Sequence, residues 1–156
     1  MNIYLVRHGK AEPASPAKKD IDRELTEEGI KIIKRSVGFW KNGIKSFDFL
    51  VTSPYKRAIQ TAEIIADLMN YKNDLIIDSA LSPGSSTRAL IELVEALNGD
   101  NIALVGHQPD MSFHISSLAS NSQVNLKFSP VSIAKVSFTA NPKPGKGTLE
   151  FLFPPF

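Results

Sequence analysis

The chain has 156 residues, of which 42% are hydrophobic and 22% charged, and its formal net charge is +2. These proportions exclude a disordered or fibrous chain, and the scattered basic residues exclude a nucleic-acid-binding stripe or a membrane-binding helix. Cysteine is absent, which excludes disulfide scaffolds and thiolate metal sites, and no apolar run approaches the ~20 residues of a membrane span.

The first half of the chain alternates between strand-like and helix-like segments. Residues 3–6 form an uninterrupted apolar run, which is typical of a strand covered on both faces. Thr26 is a suitable cap for a helix that continues to Trp40, because two glutamates follow it and apolar residues then recur at helical spacing. Residues 47–52 predict a second strand.

A second helix is predicted to follow that strand directly. Ser53 supplies a capping hydroxyl, and Pro54 is favoured at the first position of a helix. Residues 75–77 then predict a short third strand, and apolar residues between Leu90 and Leu97 predict a third helix. The inner face of the second helix is predicted to consist of Ala58, Ala62, Ile65 and Met69.

The last third of the chain changes character. Residues 102–105 predict a fourth strand, followed by a helix from Pro109 or Asp110 to Ala119. Two further strands, around residues 133–138 and 149–153, are joined by a turn-rich segment and are expected to be antiparallel.

This order of elements predicts an α/β protein. Strands that alternate with helices indicate a mostly parallel sheet with helices on both faces. We therefore expect a single domain over residues 1–156, built as a three-layer α/β/α sandwich with an antiparallel C-terminal addition. We also expect a cytoplasmic location, with no membrane or nucleic-acid partner.

Four cationic side chains are predicted to meet at one edge of this sheet. Arg7 and His8 end the first strand, His107 follows the fourth, and Arg57 lies in the first turn of the helix after the second. Ligands of open α/β sheets bind beyond the carboxyl ends of the strands, where these residues belong. Such a site is rich in donors and has no carboxylate cluster to hold a metal, which indicates phosphate binding.

Three motifs that contain these residues resemble those of the histidine phosphatase superfamily, which has the phosphoglycerate mutase-like fold. In order, they are Arg7-His8-Gly9, the stretch Ser53-Pro54-Tyr55-Lys56-Arg57-Ala58-Ile59-Gln60-Thr61-Ala62, and Gly106-His107. The second motif is much more specific than the first. The small size of the chain, residues 23–29 and the Gly-His-Gln-Pro run most resemble the SixA branch, the phosphohistidine phosphatases.

The resemblance implies a role for each residue of the motifs. His8 would be the nucleophile that carries a transient phosphoryl group. Arg7 and Arg57 would hold the phosphoryl oxygens, and His107, protonated beside the dianion, would donate a further hydrogen bond. Gly9 would allow a tight turn and leave its carbonyl free to orient the His8 ring. No metal and no cofactor is implied.

One departure concerns the proton donor. Other branches of the superfamily carry an acidic residue that protonates the leaving oxygen, whereas the comparable loop here, residues 81–86, has no carboxylate. Glu12, Asp20 and Asp22 follow the first strand and are candidate donors, with Asp20 the first to test. A shallow site without a strong acid suits phosphohistidine, whose leaving nitrogen can be protonated before cleavage.

The resemblance therefore implies a metal-independent phosphatase acting on a phosphohistidine-bearing protein. Two alternatives remain open at this point. One is a broad phosphomonoesterase for small phosphorylated substrates, which would require a proper acid for the leaving oxygen. The other is a non-catalytic phosphate-binding module, for which a nucleophile such as His8 would be unnecessary.

Overall fold

The computed structural model describes residues 1–156 and consists of one six-stranded sheet with two helices on each face. The strands are β1 (Asn2–Arg7), β2 (Phe49–Thr52), β3 (Ile76–Ile77), β4 (Asn101–Gly106), β5 (Ile133–Ser137) and β6 (Thr148–Phe153). The helices are α1 (Glu27–Trp40), α2 (Lys56–Leu68), α3 (Thr87–Leu97) and α4 (Asp110–Ala119). None of the four helices has both the length and the apolarity that crossing a membrane requires.

The sheet has the strand order β3-β2-β4-β1-β5-β6. The first four strands are parallel, and β5 and β6 are antiparallel additions beside β1, which confirms the predicted architecture. The central strands β1 and β4 pair in a register that places Arg7 opposite Gly106. Their carboxyl ends therefore meet at one point of the sheet edge.

The alternation of side chains along β1 divides the core into two layers. Tyr4 and Val6 belong to one cluster, which contains the buried residues of α1 and α2. Ile3 and Leu5 belong to the other, which contains those of α3 and α4. Because successive strand residues point to opposite faces, one buried strand serves both layers, and the three-layer prediction is confirmed.

The predicted start of α1 is confirmed and that of α2 is wrong. The Thr26 hydroxyl accepts a hydrogen bond from the Gly29 N–H (3.0 Å), as an N-cap does. Ser53, by contrast, continues the sheet ladder, since its N–H donates to the Val105 carbonyl (3.0 Å). The chain turns only afterwards, and α2 begins at Lys56 with no side-chain cap.

Two strand boundaries also differ slightly from prediction. β2 begins at Phe49 and not at residue 47, and β3 contains only Ile76 and Ile77. Phe47 lies outside the strand. Its ring is buried against Tyr4, with ring centroids 5.2 Å apart, which explains why this position is apolar. The predicted helix from Asp110 to Ala119 is confirmed as α4.

Candidate active site

His8 is the first residue beyond β1. Its backbone N–H donates to the Gly106 carbonyl (3.0 Å), so the ladder between β1 and β4 fixes its position. The ring Nδ1 lies 2.7 Å from the Gly9 carbonyl oxygen. A carbonyl only accepts hydrogen bonds, so we assign the ring proton to Nδ1, which leaves Nε2 unprotonated and able to accept a hydrogen bond.

Gly9 lies in close contact with α1. A Cβ at this position would lie 2.7 Å from Cδ1 of Ile33 in α1, and the backbone is not left-handed there. The expectation of a sharp turn is therefore replaced by close contact with α1. The Gly9 carbonyl does orient the His8 ring, as the resemblance implies.

Arg57 joins the two histidines. Its side chain is 6% exposed, and its Nε donates to Nε2 of His8 (3.3 Å). Its Nη2 lies 3.5 Å from Nδ1 of His107, and the centroids of the two imidazole rings are 5.0 Å apart. The structure thus brings three of the four predicted residues into direct contact.

His107 follows β4 and is fully enclosed. Its ring Nε2 lies 2.8 Å from the Ser53 hydroxyl, and the edge of the Tyr55 ring packs against it. The Arg57 guanidinium in turn lies 5.0 Å from the centroid of the Tyr55 ring, which is a cation–π distance. Tyr55, just before α2, therefore packs against both His107 and Arg57.

Arg7, the fourth predicted residue, is held from the opposite side of the sheet end. Its Nη1 donates to the Phe128 carbonyl (3.0 Å), and its buried Nε has no partner. Both backbone polar groups of Arg7 are hydrogen-bonded. Its N–H donates to the Ser132 carbonyl, and its own carbonyl accepts from the Val131 N–H, each at 3.1 Å. Val131 has a left-handed backbone (φ 68°), which is strained for a β-branched residue.

Asp20, the first candidate for the proton donor, does reach the site. Its carbonyl oxygen accepts from Arg57 Nη1 (2.7 Å), and its carboxylate lies 3.3 Å from Arg57 Nη2. Arg23 also binds that carboxylate (2.7 Å). Glu12 instead pairs with Lys18 (2.6 Å), and Asp22 is exposed.

Ion pairs are concentrated in the segment between β1 and the first turn of α1. All but one of the seven ion pairs of the protein involve a residue of this segment. Two of them reach Lys56 and Arg57 at the start of α2, so they tie the segment to the site. The six pairs are Lys10–Glu28, Lys18–Glu12, Lys18–Glu24, Arg23–Asp20, Lys56–Glu24 and Arg57–Asp20.

Two residues of the second motif position the site, although sequence reasoning gave them no role. The Thr61 hydroxyl accepts from the Gly9 N–H (3.0 Å) and donates to the Arg57 carbonyl (2.7 Å). Gln60 accepts from the Leu25 N–H (2.8 Å). Both residues belong to the most specific of the three motifs and follow Arg57 by three and four positions on the predicted helix, which is the signal in the sequence that could have indicated this role.

Burial and neighbouring cations shift the titration of the two site histidines. Burial is the main cause that lowers the pKa of His8 to about 4, and the charges of Arg57 and Arg7 lower it further. Burial also lowers the pKa of His107 to about 3, assisted by His8 and Arg57. Both rings are therefore neutral near pH 7 among the protein groups alone, so the expected protonation of His107 would need the added charge of a bound dianion.

Hydrogen bonds keep Asp20 ionised. The bond from Arg23 is the main cause that lowers the pKa of the Asp20 carboxyl, and the charge of Arg57 adds to it. No group of three His, Cys, Asp or Glu side chains is arranged to hold a metal ion.

Comparison with known proteins shows the family to which the chain belongs. The family model of the histidine phosphatase superfamily (branch 1) matches residues 3–82. An uncharacterised protein of Picosynechococcus sp. is 34% identical over 113 residues, which cover 71% of this chain and 68% of that protein. The phosphohistidine phosphatase SixA of Escherichia coli is 26% identical over 159 residues, which cover 99% of this chain and 94% of that protein.

The fold is likewise that of a solved phosphatase structure. The protein histidine phosphatase SixA complexed with tungstate has a TM-score of 0.87 and 22% identity, and the match covers 98% of this chain and 96% of that one. The matched family segment spans half of the chain and contains Arg7, His8 and Arg57. The chain is therefore a hydrolase that belongs to the histidine phosphatase superfamily (branch 1), within its SixA branch.

Proposed function

We propose that this chain hydrolyses phosphohistidine on a protein through a covalent intermediate on His8. The observation that carries the proposal is the hydrogen bond between Nδ1 of His8 and the Gly9 carbonyl (2.7 Å), which leaves Nε2 unprotonated beside the Arg57 guanidinium, whose Nε donates to it over a long 3.3 Å. A neutral imidazole nitrogen next to a guanidinium is suited to attack a phosphoryl group.

The reaction takes place in two displacements at phosphorus. In the first, the substrate imidazole is already protonated on its unphosphorylated nitrogen. Nε2 of His8 forms a bond to phosphorus, the P–N bond of the substrate breaks, and the substrate imidazole leaves neutral with that proton, while His8 keeps its proton on Nδ1. In the second, water forms a P–O bond, the bond between phosphorus and Nε2 of His8 breaks, and both protons of the water leave with orthophosphate or pass from it to solvent. His8 returns to its neutral state after each cycle, so no oxidant or reductant takes part.

Arg7, Arg57 and His107 would bind the phosphoryl oxygens. A guanidinium offers paired donors in one plane, which match the oxygens of a phosphoryl group. The buried Nε of Arg7 has no protein partner, and Arg57 is held between the two histidines. Charge that develops on the oxygens during in-line transfer would therefore meet fixed donors.

A nitrogen leaving group suits a site whose nearest carboxyl group is ionised and therefore a poor proton donor. The carboxyl group nearest to Arg57 is that of Asp20, and its lowered pKa makes it a poor proton donor near pH 7. Phosphohistidine needs less help of this kind than an alkyl ester does. The likeness to the E. coli phosphohistidine phosphatase SixA over almost the whole chain also supports this substrate class.

The test compares two substrates in one set of reactions. The loss of phosphate from a phosphohistidyl protein and from p-nitrophenyl phosphate is measured for the wild type and for His8→Ala. We expect faster loss from phosphohistidine and no turnover by His8→Ala, because the nucleophile is gone. Arg88→Ala is the matched control, since Arg88 is highly exposed and pairs only with Glu92.

Rapid quenching adds a direct test of the intermediate. Protein quenched during turnover of ³²P-labelled substrate should carry acid-labile, alkali-stable phosphate in the wild type and none in His8→Ala. Faster cleavage of the ester would replace the proposal with a phosphomonoesterase for small substrates. Binding of orthophosphate without turnover of either substrate would replace it with a phosphate-binding module.

A further inference from the structure

We infer that the Ser53 hydroxyl is a positioning group that keeps the proton of neutral His107 on Nδ1, the nitrogen that faces the phosphoryl group. Ser53 is fully buried, and its Oγ lies 2.8 Å from Nε2 of His107. The inference rests on the proposed role of His107 as a donor to phosphate. It extends that role, because it identifies which nitrogen donates and what fixes the choice.

The two nitrogens of His107 have different surroundings. Nδ1 lies 3.5 Å from Nη2 of Arg57, on the side of the ring that faces the site. Nε2 lies on the other side, against Ser53. A donor to phosphate must therefore be Nδ1, and in a neutral ring only one nitrogen carries the proton.

Hydrogen-bond accounting at Ser53 decides between the two tautomers. The Ser53 Oγ already accepts from the Tyr55 N–H (3.3 Å), and its own proton has no acceptor within reach except Nε2 of His107. If Nε2 carried the ring proton, a fully buried hydroxyl proton would be left without a partner, which is costly. With the proton on Nδ1, Ser53 donates to Nε2 and every one of these groups is satisfied.

Placing the proton of His107 on Nδ1 costs only one weak hydrogen bond elsewhere in the site. It removes the bond that Arg57 Nη2 could donate to Nδ1, but that contact is at the 3.5 Å limit of a hydrogen bond. The same Nη2 also faces the Asp20 carboxylate at 3.3 Å, so it keeps a protein partner. The buried hydroxyl proton of Ser53, by contrast, has no acceptor other than Nε2 of His107.

The arrangement removes a difficulty that the electrostatics of the site creates. Burial is the main cause that opposes the protonation of His107. His8, Arg57 and Arg7 lower its pKa further, against the opposite effect of the Asp20 carboxylate. A ring with its proton on Nδ1 donates to an anion while it stays neutral. Ser53 thus makes the donor available before the substrate binds, with no need to capture a proton.

The closing experiment reads the tautomer directly and does not depend on substrate. The chain has three histidines, so long-range ¹H–¹⁵N spectra of protein labelled at histidine contain only three imidazole patterns, assigned with His8→Ala and His114→Gln. We expect His107 of the wild type to carry its proton on Nδ1 near pH 7. A wild-type ring protonated on Nε2 would overturn the inference, whichever substrate the enzyme uses.

Variants then connect the tautomer to function. Ser53→Ala should mix the two tautomers of His107, weaken the binding of orthophosphate about tenfold to a hundredfold and lower kcat/KM in proportion. Ser53→Thr, which keeps a hydroxyl, should restore the wild-type pattern and much of the binding. An unchanged orthophosphate affinity in a folded Ser53→Ala would contradict the inference.

Ser85→Ala is the matched control. The Ser85 hydroxyl lies 3.4 Å from Nε2 of His114, another buried histidine, which is also bonded through Nδ1 to Thr87 (2.8 Å). Its loss should alter the resonances of His114 alone and leave orthophosphate binding within about twofold. An equal loss of binding in both serine variants would mean a general loosening of the fold and would overturn the specific role of Ser53.

Discussion

At the residue scale, Arg57 is the group on which the contacts of the site converge. Its Nε contacts His8, its Nη2 contacts His107 and Asp20, and its Nη1 binds the Asp20 carbonyl. Because the side chain is almost fully buried, each of its donors has a fixed direction. An anion that binds Arg57 must therefore share it with the carboxylate of Asp20.

This sharing predicts that Asp20 weakens phosphate binding rather than supplying a proton. Asp20→Asn removes one negative charge beside the phosphate position, so we expect orthophosphate to inhibit the variant about threefold to tenfold more strongly. With a phosphohistidine substrate, kcat should change little. Competitive inhibition at low ionic strength measures the first effect, and saturation kinetics measures the second.

Asp22→Asn is the control for this prediction, because it makes the same change of charge two residues away on an exposed side chain. It should leave the inhibition constant close to the wild-type value. A large fall of kcat in Asp20→Asn, strongest for an alkyl phosphate ester, would show that Asp20 is a general acid after all.

Ser53 is an example of a residue whose role cannot be predicted from the sequence. A serine before a proline indicates a helix start, because local preference is all that the sequence displays. Its actual role depends on two partners from β4 and the loop after it, Val105 and His107, more than 50 residues away along the chain. Such long-range hydrogen bonds leave no local pattern, so the helix cap was the natural but wrong interpretation.

At the element scale, α1 contains a pair of glycines with opposite surroundings. Gly29 is buried in the first turn, where an added Cβ would overlap the Lys10 carbonyl oxygen. Gly38 is exposed in the last turns, and an added Cβ would meet no atom within 4 Å. The first glycine lets the chain after β1 approach the helix, whereas the second only adds freedom to the unfolded chain.

The two alanine variants should therefore change stability in opposite directions. Gly38→Ala should raise the free energy of unfolding by about 1 kcal/mol, the usual difference in helix propensity. Gly29→Ala should lower it by roughly 1–3 kcal/mol, because backbone must move to relieve the overlap. Urea unfolding of both variants measures the difference, and a stabilised Gly29→Ala would contradict the described contact.

The accuracy with which each helix or strand could be predicted depends on how many local signals its own sequence contains. α1 has a capping threonine and a regular apolar face, and its start was predicted correctly. β3 contains two residues, and its extent depends on pairing with β2 rather than on its own sequence. The close approach at Gly9 and Gly29 could not be predicted, because it depends on how α1 docks against the chain after β1.

At the scale of the whole molecule, the strand order assembles the site. Arg7, His8 and His107 come from adjacent central strands, and the helix that follows the next strand adds Arg57. The rule that ligands bind at the carboxyl edge of parallel strands was sufficient to predict this meeting. The rule does not extend to loops, so the anchoring of Arg7 by Phe128 and Val131 could not be predicted.

All three histidines of the chain are neutral in the folded protein near pH 7. Burial lowers the pKa of His8 and His114 to about 4 and that of His107 to about 3, from an ordinary value of 6.5. Between these values the unfolded chain binds more protons than the folded one. Their contribution to stability is therefore complete above pH 6.5 and is lost as the pH falls toward 4.

We accordingly expect the free energy of unfolding to decrease from pH 6.5 to pH 5, by at most about 1.4 kcal/mol per pH unit for each histidine. Urea titrations at several pH values measure this slope. His114→Gln should reduce the slope by about one histidine's share, whatever it does to stability at pH 7. A flat profile in this window would mean that the histidines titrate normally.

The clustering of ion pairs between β1 and the first turn of α1 has a consequence for how the protein responds to its medium. The core is apolar, whereas these pairs are mostly exposed, and dissolved salt screens exposed charges, with a Debye length of about 8 Å at 0.15 M ionic strength. Ionic strength therefore acts on the rim of the site and on the segment that bears Asp20. The sheet and the position of the nucleophile depend on apolar packing and backbone hydrogen bonds, so we expect added salt to change access to the phosphate position at concentrations that leave the enzyme folded.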